Sequence, residues 1–365
     1  MQFCVGTMAF ETALPQGKTK VSTMRAFWIR ALIFVVIGLL LYVALAAYAE
    51  RKMLETSERH PFVTITSAPQ ETDVVVLGAS HAMQLGFDGI QPMVEQNSGR
   101  KIMVLAIKDG GVVPNAVILN ALLKKSKPRT IVYVLDTFAF LSPRWNEERL
   151  NDGDLFVRAP FDRDLIDVLR EEPSAWGTML GYASGFEKIK RLSSADADSA
   201  DAELTKLDQI YQPDDRIDDQ RVGYLFSDSS AELMQGYVDR LAAMAQAARQ
   251  AGSEFILLQM PVPPRYTSRL PEAHYEVLER VQAMAQAAGV CVIDHTEALP
   301  GDENYYDTDH LNRLGLERYT AGLLAEALLL PAGEATENPS PWCVSAVADE
   351  EEDTTEEEAA FEEEP

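Results

Sequence analysis

The chain is poor in the residues from which metal sites are usually built. Its 365 residues include three cysteines and five histidines, and no Cys-x-x-Cys pair or His/Cys spacing typical of zinc occurs. Cys4 and Cys343 lie near the two ends, and Cys291, inside an apolar run, is expected to be a buried thiol. A glycine-rich phosphate loop and a dinucleotide fingerprint are also missing. The sequence therefore predicts neither a metal nor a cofactor.

Basic residues are scarce as well: 32 Lys and Arg stand against 57 Asp and Glu, which gives a formal charge of −25. A nucleic acid partner is not expected, because binding phosphates needs clustered Lys and Arg. Part of the negative charge is concentrated at the end, where residues 349–364 include eleven acidic side chains and no basic one. This composition predicts a disordered acidic tail over residues 331–365.

One long uncharged run lies near the N-terminus. Residues 31–49 carry no charge and would form a helix of about 28 Å, close to the hydrocarbon thickness of a bilayer. Arg25 and Arg30 precede the run, and this basic excess favours a cytoplasmic N-terminus with the rest of the chain outside. The alternative is a cleaved signal peptide with an Ala-Tyr-Ala site, but the length of the run favours an uncleaved anchor. We predict a cytoplasmic segment over residues 1–30, a transmembrane helix over 31–49 and a polar linker over 50–71.

The remainder alternates between short apolar runs and helical patterns. The runs are continuously apolar, as expected for strands buried on both faces of a parallel sheet. They predict a three-layer α/β fold with about five parallel strands over residues 72–330. Residues 138–230 interrupt the rhythm and are interpreted as an insertion or lid over the carboxyl edge of the sheet. The predicted strands are 73–77, 102–107, 130–135, 255–260 and 290–293, and the main predicted helices are 113–125, 231–251, 271–288 and 313–330.

The first motif with chemical potential follows the first predicted strand and reads Gly78-Ala79-Ser80-His81. A strand that ends in Gly, with Ser at the start of the next helix, presents the hydroxyl at the edge where ligands collect in open α/β sheets. The alternative is that Ser80 simply caps a helix, which serine favours. The side chains of adjacent helical residues point in different directions, so His81 is badly placed to act as the base for Ser80. We expect His81 to pack in the interior or to contact substrate.

The second motif, an Asp-x-x-His sequence formed by Asp307 and His310, precedes the last predicted helix. His310 would accept the hydroxyl proton of Ser80, and Asp307 would fix the tautomer of the imidazole. The alternative is a surface loop with a capping histidine. Asp309 is expected to be solvated, because the spacing selects Asp307. Asp136 ends the third predicted strand and is a candidate for substrate contact.

The two motifs and the α/β pattern between them resemble the SGNH (GDSL-like) hydrolase superfamily over about residues 72–330. The resemblance implies a serine hydrolase with Ser80 as nucleophile, His310 as base and Asp307 as orienting acid. It also implies an oxyanion hole formed by the N–H groups of Ser80 and Gly111, with Gly110 as the alternative to Gly111 in the Asp-Gly-Gly run after the second strand.

Two positions depart from the family pattern. Ala79 replaces the usual Asp, and no Asn is evident after the third strand, where residues 135–137 read Leu-Asp-Thr. Branches of the superfamily that resemble the D-alanyl transfer protein of teichoic acid modification depart from the family motifs in a similar way. They also carry one N-terminal membrane helix.

The resemblance implies an esterase or O-acyltransferase acting on acylated envelope carbohydrate or polymer, with an integral-membrane acyltransferase as a partner. Two alternatives stay open. One is a lipid esterase at the membrane surface, and the other is a non-catalytic assembly or polymer-binding protein that retains the fold.

Overall fold

The protein is described from a computed structural model that covers residues 19–55, 60–67, 72–192, 206–227 and 229–329. A five-stranded sheet forms its centre, with the strand order β2-β1-β3-β4-β5 and parallel pairing throughout. The prediction of an α/β fold with about five parallel strands is confirmed. The strands are β1 (Val74–Leu77), β2 (Ile102–Val104), β3 (Thr130–Val134), β4 (Glu254–Gln259) and β5 (Cys291–Asp294).

The helices between the strands follow the predicted positions closely, and the predicted last helix is divided in two at Gly322. Short 3₁₀ helices span Gln84–Gly86, Thr137–Phe140, Pro143–Trp145, Pro173–Ala175 and Asp302–Asn304. The described α-helices are α1 (Thr19–Leu54), α2 (Pro61–Ser67), α3 (Ser80–Met83), α4 (Gln91–Ser98), α5 (Val112–Leu123), α6 (Glu147–Asn151), α7 (Asp154–Val157), α8 (Arg163–Glu171), α9 (Trp176–Ser184), α10 (Phe186–Arg191), α11 (Asp215–Leu225), α12 (Ala231–Gln250), α13 (Pro264–Thr267), α14 (Glu272–Ala288), α15 (Arg313–Ala321) and α16 (Leu323–Leu329).

Helices cover both faces of the sheet, because successive residues of a strand point to opposite sides. Val75 and Leu77 of β1 lie in one buried cluster together with residues of α5, α12 and α14. Val74 and Val76 lie in a second cluster with residues of α4, α15 and α16. This three-layer arrangement explains why the strand sequences are apolar at every position rather than at every second one.

The strand order places a switch point beside β1. β2 lies on one side of β1 and β3 on the other, so the connection from β2 to β3 crosses over β1. In open parallel sheets, ligands bind at the carboxyl ends of the strands where the order reverses. Ser80 follows β1 and Asp136 follows β3, so both residues lie at this edge.

The first helix is long and apolar enough to cross a membrane. The stretch Met24–Leu54 has a mean hydropathy of 2.6 in its apolar window, and none of that window is buried. These properties suit either a membrane anchor or a signal sequence. Near its C-terminal end the helix contacts the rest of the protein, because Ala49 is fully buried and the Tyr42 hydroxyl donates to the Ser184 carbonyl at 3.0 Å.

The segment between α1 and the sheet differs from the polar linker predicted over residues 50–71. Residues 61–67 form α2, with Pro61 at its start. Phe62 and Ile65 are 3% and 6% exposed and belong to the core beneath α5. The ring of Phe62 stacks on that of Phe156 at 5.5 Å between centroids. Two apolar side chains three residues apart on one helical turn thus join this segment to the domain.

The predicted insertion over residues 138–230 has two parts with different contacts. Its first part, through α10, packs around α5 and against α1, where Lys188 forms an ion pair with Glu50 at 3.1 Å. Its second part, residues 206–227, lies against the loop that carries His310, and the Tyr211 N–H donates to the Tyr305 carbonyl at 2.9 Å. A lid function for this second part stays a prediction.

The cysteine at the edge of the sheet differs from its expected state. Cys291 is disulfide-bonded rather than a free buried thiol. The other cysteines of the chain, Cys4 and Cys343, lie outside the described residues, as does the predicted acidic tail over residues 331–365.

Replacing Phe62 by Ala tests whether α2 belongs to the domain core. Truncating a buried Phe to Ala removes apolar contacts and leaves a cavity, so we expect Phe62→Ala to lower the free energy of unfolding by about 3–5 kcal/mol. Ser67→Ala, at an exposed position of the same helix, is the control. Equal denaturation midpoints for the two variants would show that this segment behaves as a linker.

Candidate active site

Ser80 is held at the end of β1 by a turn that tolerates no side chain. Gly78 has a φ of +142°, which L-residues rarely adopt. A Cβ atom there would lie 3.0 Å from both Val134 Cβ and Ala82 Cβ. The backbone can therefore leave the strand sharply, and Ser80 becomes the first residue of α3.

A buried asparagine fixes the same turn. The side chain of Asn115, which has no exposed surface, accepts the Gly78 N–H through Oδ1 at 3.1 Å. Its Nδ2 group donates to the carbonyls of Gly111 at 2.8 Å and Gly110 at 3.2 Å. One side chain thus joins the loop after β1 to the loop after β2, and both loops border the site.

The structure brings Ser80, His310 and Asp307 together, although Ser80 and His310 are 230 residues apart in sequence. His310 Nε2 is 2.8 Å from Ser80 Oγ, and His310 Nδ1 is 3.0 Å from each carboxylate oxygen of Asp307. With a proton on Nδ1, the imidazole donates to Asp307 and offers Nε2 to the serine hydroxyl. These are the contacts of a nucleophile, a general base and an orienting carboxylate.

The loop before α15 sets the position of Asp307 and His310. Asp307 Oδ1 accepts the N–H groups of His310 at 2.8 Å and Asp309 at 3.1 Å. Asn312 caps α15 by accepting the Gly315 N–H at 2.9 Å. A Cβ atom on Gly315 would collide with a backbone carbonyl of the preceding loop. The His-Leu-Asn-x-x-Gly sequence is therefore explained by a cap and a close backbone contact.

A buried network lies behind His310. Asp309 has no exposed surface, and its carboxylate oxygens accept N–H groups of Arg221 at 2.9–3.2 Å. His81 Nδ1 is 2.6 Å from Asp136 Oδ1, and His81 Nε2 is 3.1 Å from the Asp309 carbonyl oxygen. The rings of His81 and His310 are 4.7 Å apart between centroids. Paired charges thus support the imidazole of His310.

Three residues differ from their expected surroundings. His81 and Asp136 were candidates for substrate contact, but they are 5% and 9% exposed and bind each other. Their placement supports a positioning role instead. Asp309 is buried rather than solvated, because Arg221 of α11 neutralises its carboxylate. A carboxylate in the interior needs such a partner, since desolvating an unpaired charge is costly.

Charge pairing determines the protonation of the two imidazoles. Burial lowers the pKa of His310, but the carboxylates of Asp307 and Asp309 outweigh burial and raise this pKa to about 9. Burial also lowers the pKa of His81, and Asp136 and Asp309 raise it well above its usual value. With a pKa of about 9, the ring of His310 is cationic at neutral pH in the resting site. His310 has to lose a proton before it can accept one from Ser80.

The buried carboxylate between these rings stays ionised. Burial raises the pKa of Asp309, but the guanidinium of Arg221 and the imidazole of His310 hold it well below its usual range. Asp309 therefore keeps its negative charge at any pH near neutrality. That constant charge is one cause of the raised pKa of His310.

The predicted oxyanion donor Gly111 is engaged elsewhere. Its N–H donates to the Trp145 carbonyl at 2.7 Å, and the Gly110 N–H donates to the Ile107 carbonyl at 3.1 Å. A Cβ atom on Gly111 would lie 2.6 Å from the same Trp145 oxygen. Glycine is thus required here for close contact between two backbones, and the assignment of Gly111 to the oxyanion hole is not supported.

Three supporting residues were not found from sequence. Asn115 had a usable signal, because it is a buried amide in helix α5, whose only other polar side chain is Asn120. Asn146, which has no exposed surface, accepts the Val113 N–H at 3.0 Å and so ties the insertion to the start of α5. Arg221 is one of many charged residues in the insertion, and nothing in the local pattern distinguishes it.

The same cluster offers donor atoms that a metal ion could use. Ligand atoms of His81, Asp309 and His310 lie within 4.8 Å of one another. Each is already bound, however: Asp309 by Arg221, His310 by Asp307 and His81 by Asp136. A cation at this place would lie beside the guanidinium of Arg221. The donor set is therefore satisfied by its own ion pairs and does not call for a metal.

Comparison with solved structures gives distant similarities. The chain is similar to TesA, with 17% identity, a TM-score of 0.33 and coverage of 71% of this chain and 98% of that one. It is similar to a candidate platelet activating factor from Streptococcus pneumonia, with 12% identity, a TM-score of 0.39 and coverage of 81% and 99%. It is also similar to a candidate acylhydrolase from Bacteroides fragilis, with 11% identity, a TM-score of 0.36 and coverage of 73% and 94%. No family model matches the chain, and no curated protein matches it.

The raised pKa of His310 predicts an alkaline profile for the reactivity of Ser80. The neutral imidazole is the form that accepts a proton, so labelling of wild-type protein by a fluorophosphonate should accelerate as pH rises through about 9. Asp309→Asn removes one of the charges that raise this pKa, so the midpoint should move to lower pH. The measurement is the labelling rate as a function of pH for both proteins.

An exposed aspartate provides the control for this experiment. Asp208→Asn removes a carboxylate that pairs with Arg313 at the surface, 71% exposed, and should leave the midpoint unchanged. A thermal melt of each variant establishes that the fold is retained. If Asp309→Asn is folded and labels with the wild-type midpoint, the charge of Asp309 does not govern His310.

Proposed function

We propose that the protein is a membrane-anchored serine esterase or O-acyltransferase that acts on acylated cell-envelope carbohydrate or polymer. The observation that carries the proposal is the contact between Ser80 Oγ and His310 Nε2 at 2.8 Å, with Asp307 on the far nitrogen. A serine hydroxyl bound to an oriented imidazole is the minimum requirement for covalent acyl transfer.

The reaction follows from these three side chains. The Ser80 hydroxyl gives its proton to His310 Nε2 as its oxygen bonds to the acyl carbonyl carbon. His310 then returns the proton to the departing alkoxide, so the alcohol leaves and the acyl group stays on Ser80. Water or a sugar hydroxyl next gives its proton to His310 and takes the acyl group, and Ser80 recovers its proton. Asp307 stabilises the imidazolium in both halves.

An oxyanion hole is proposed from the backbone N–H groups of Ser80 and Asp109. Ser80 begins α3, so its N–H has no partner within the helix. Asp109 is the second of the two residues between the engaged N–H groups of Ile107 and Gly110, and it has a φ of +57°. Within the part of the chain that the structure describes, its N–H has no hydrogen-bond partner. We propose Asp109 in place of Gly111 for this role.

The proposed location rests on α1 and on the disulfide. The contacts of Tyr42 and Ala46 with residues 184–185 would be lost if a signal peptidase cut after Ala49, so they favour an anchor over a cleaved leader. The disulfide at Cys291 favours an oxidising compartment. An extracytoplasmic domain would meet envelope carbohydrate, and an integral-membrane acyltransferase remains the proposed partner. The particular resemblance to the D-alanyl transfer branch remains a prediction.

A non-catalytic polymer-binding role is the second candidate, favoured by two observations. The Gly111 N–H is bound to Trp145, and no Asn follows β3 in the family position. Losing an oxyanion donor costs on the order of 10²–10³ in rate. A protein with a weakened oxyanion hole could still bind polymer without turning it over.

Acetate release from acetylated envelope polymer tests the proposal. Wild-type protein should release acetate or transfer it to a sugar acceptor, and Ser80→Ala and His310→Ala should each lower the rate by on the order of 10⁶-fold. Ser229→Ala, at an exposed serine, is the matched control. Polymer binding that is unaffected by Ser80→Ala, with no release by wild type, would support the binding role. Activity confined to long-chain lipid esters would support a lipid esterase.

A further inference from the structure

We propose that the α9–α10 hairpin, residues 176–191, dips into the membrane beside α1 and contacts lipid acyl chains near the headgroups. This inference rests on the proposed membrane anchoring by α1. The hairpin would make a second contact with the bilayer, on the side that faces the domain.

The contact with α1 places the tip of the hairpin within the apolar span. The Tyr42 hydroxyl donates to the Ser184 carbonyl at 3.0 Å, and a Cβ atom on Gly185 would lie 3.2 Å from Ala46 Cβ. Tyr42 and Ala46 lie seven and three residues before Ala49, the last residue of the uncharged run. At 1.5 Å per residue the two contacts are therefore about 10 Å and about 5 Å below the end of that run.

Exposed apolar side chains occur on the same hairpin. Trp176 and Leu180 are 54% and 62% exposed and share one face of α9, since they are four residues apart. Phe186, next to the tip, is 53% exposed. Within the described chain, no other part of the protein covers these three large apolar side chains. Lipid acyl chains at that depth would bury them.

Several polar groups of the turn between the two helices are hydrogen-bonded, which lowers the cost of an apolar surrounding. The last carbonyl of α9, at Ser184, receives the Tyr42 hydroxyl. The Gly185 N–H donates to the Tyr182 carbonyl at 3.1 Å, and its carbonyl accepts the Ile189 N–H at 3.1 Å. The Ser184 hydroxyl donates to the Gly181 carbonyl at 3.3 Å.

The charged residues of α10 begin at Glu187, two residues after the tip glycine, and its carboxylate pairs with Lys190 at 3.6 Å. α10 runs alongside α1, because Gly185 meets Ala46 and Lys188 meets Glu50. Lys188 Nζ is 3.1 Å from Glu50 Oε2 and also donates to the Ala159 carbonyl at 2.6 Å. This buried ion pair fixes the hairpin to α1. The domain is therefore held at one orientation to the bilayer rather than swinging on a flexible tether.

Tryptophan quenching by lipid tests the proposed depth. In a Trp28→Phe/Trp176→Phe/Trp342→Phe background, Phe186→Trp puts a reporter beside the tip, and the one remaining native tryptophan, Trp145, is too buried to meet lipid, at 1% exposure. The full chain is reconstituted into phosphatidylglycerol vesicles with and without phosphatidylcholine brominated on the acyl chains near the glycerol. We expect at least about a two-fold loss of the reporter's emission, because interfacial apolar groups lie roughly 5–10 Å deep.

Tyr275→Trp in the same background is the matched control, since Tyr275 is an aromatic residue 56% exposed on α14, outside the hairpin. Its emission should not change with brominated lipid. Equal quenching of the two reporters, in protein that floats with the vesicles, would overturn the hairpin proposal and leave the anchor intact. Protein that does not float with vesicles would overturn the anchor and the hairpin together, without bearing on the chemistry of Ser80.

Discussion

Asp309 carries a carboxylate with no solvent exposure, and both of its oxygens accept N–H groups of Arg221. A buried charge of this kind has to be paired, and the pairing joins parts of the chain that are distant in sequence. Arg221 comes from the insertion, His81 from the helix after β1, and Asp309 from the loop before α15. The ion pair therefore holds the insertion against the loop on which His310 stands. The placement of His310 next to Ser80 depends on this assembly.

The same charges that position His310 also raise its pKa. Three carboxylates, of Asp136, Asp307 and Asp309, face one guanidinium and two imidazoles, so the cluster is electrically balanced when both imidazoles are protonated. This charge balance favours a stable, well-ordered site. It also disfavours the neutral form of the His310 imidazole, which is the form that acid–base chemistry needs. A substrate that displaces water or alters the pairing would shift this balance, because pKa values in such a cluster are coupled.

The fold could be predicted from sequence because its signals are local. Continuous apolar runs of strand length and apolar helices between them determine a parallel sheet, and Gly78 and Gly315 occur where the backbone needs them. Ser80, Asp307 and His310 could be named because their motifs follow a strand or precede a helix. Arg221 and Asn146 could not, because their roles depend on contacts across 88 and 33 residues of sequence. The hydrogen bond of the Gly111 N–H likewise could not be predicted, because its acceptor is the carbonyl of Trp145, which no motif indicates.

A covalent acyl intermediate on Ser80, formed with the help of His310, can be observed directly by mass spectrometry. The full chain would be mixed with an activated acetyl ester at pH near 9, quenched in acid and digested. The account predicts an acetyl group on the peptide that contains Ser80, strongly diminished in His310→Ala. An unmodified Ser80 peptide in folded wild-type protein, or equal acetylation of the His310→Ala variant, would contradict it.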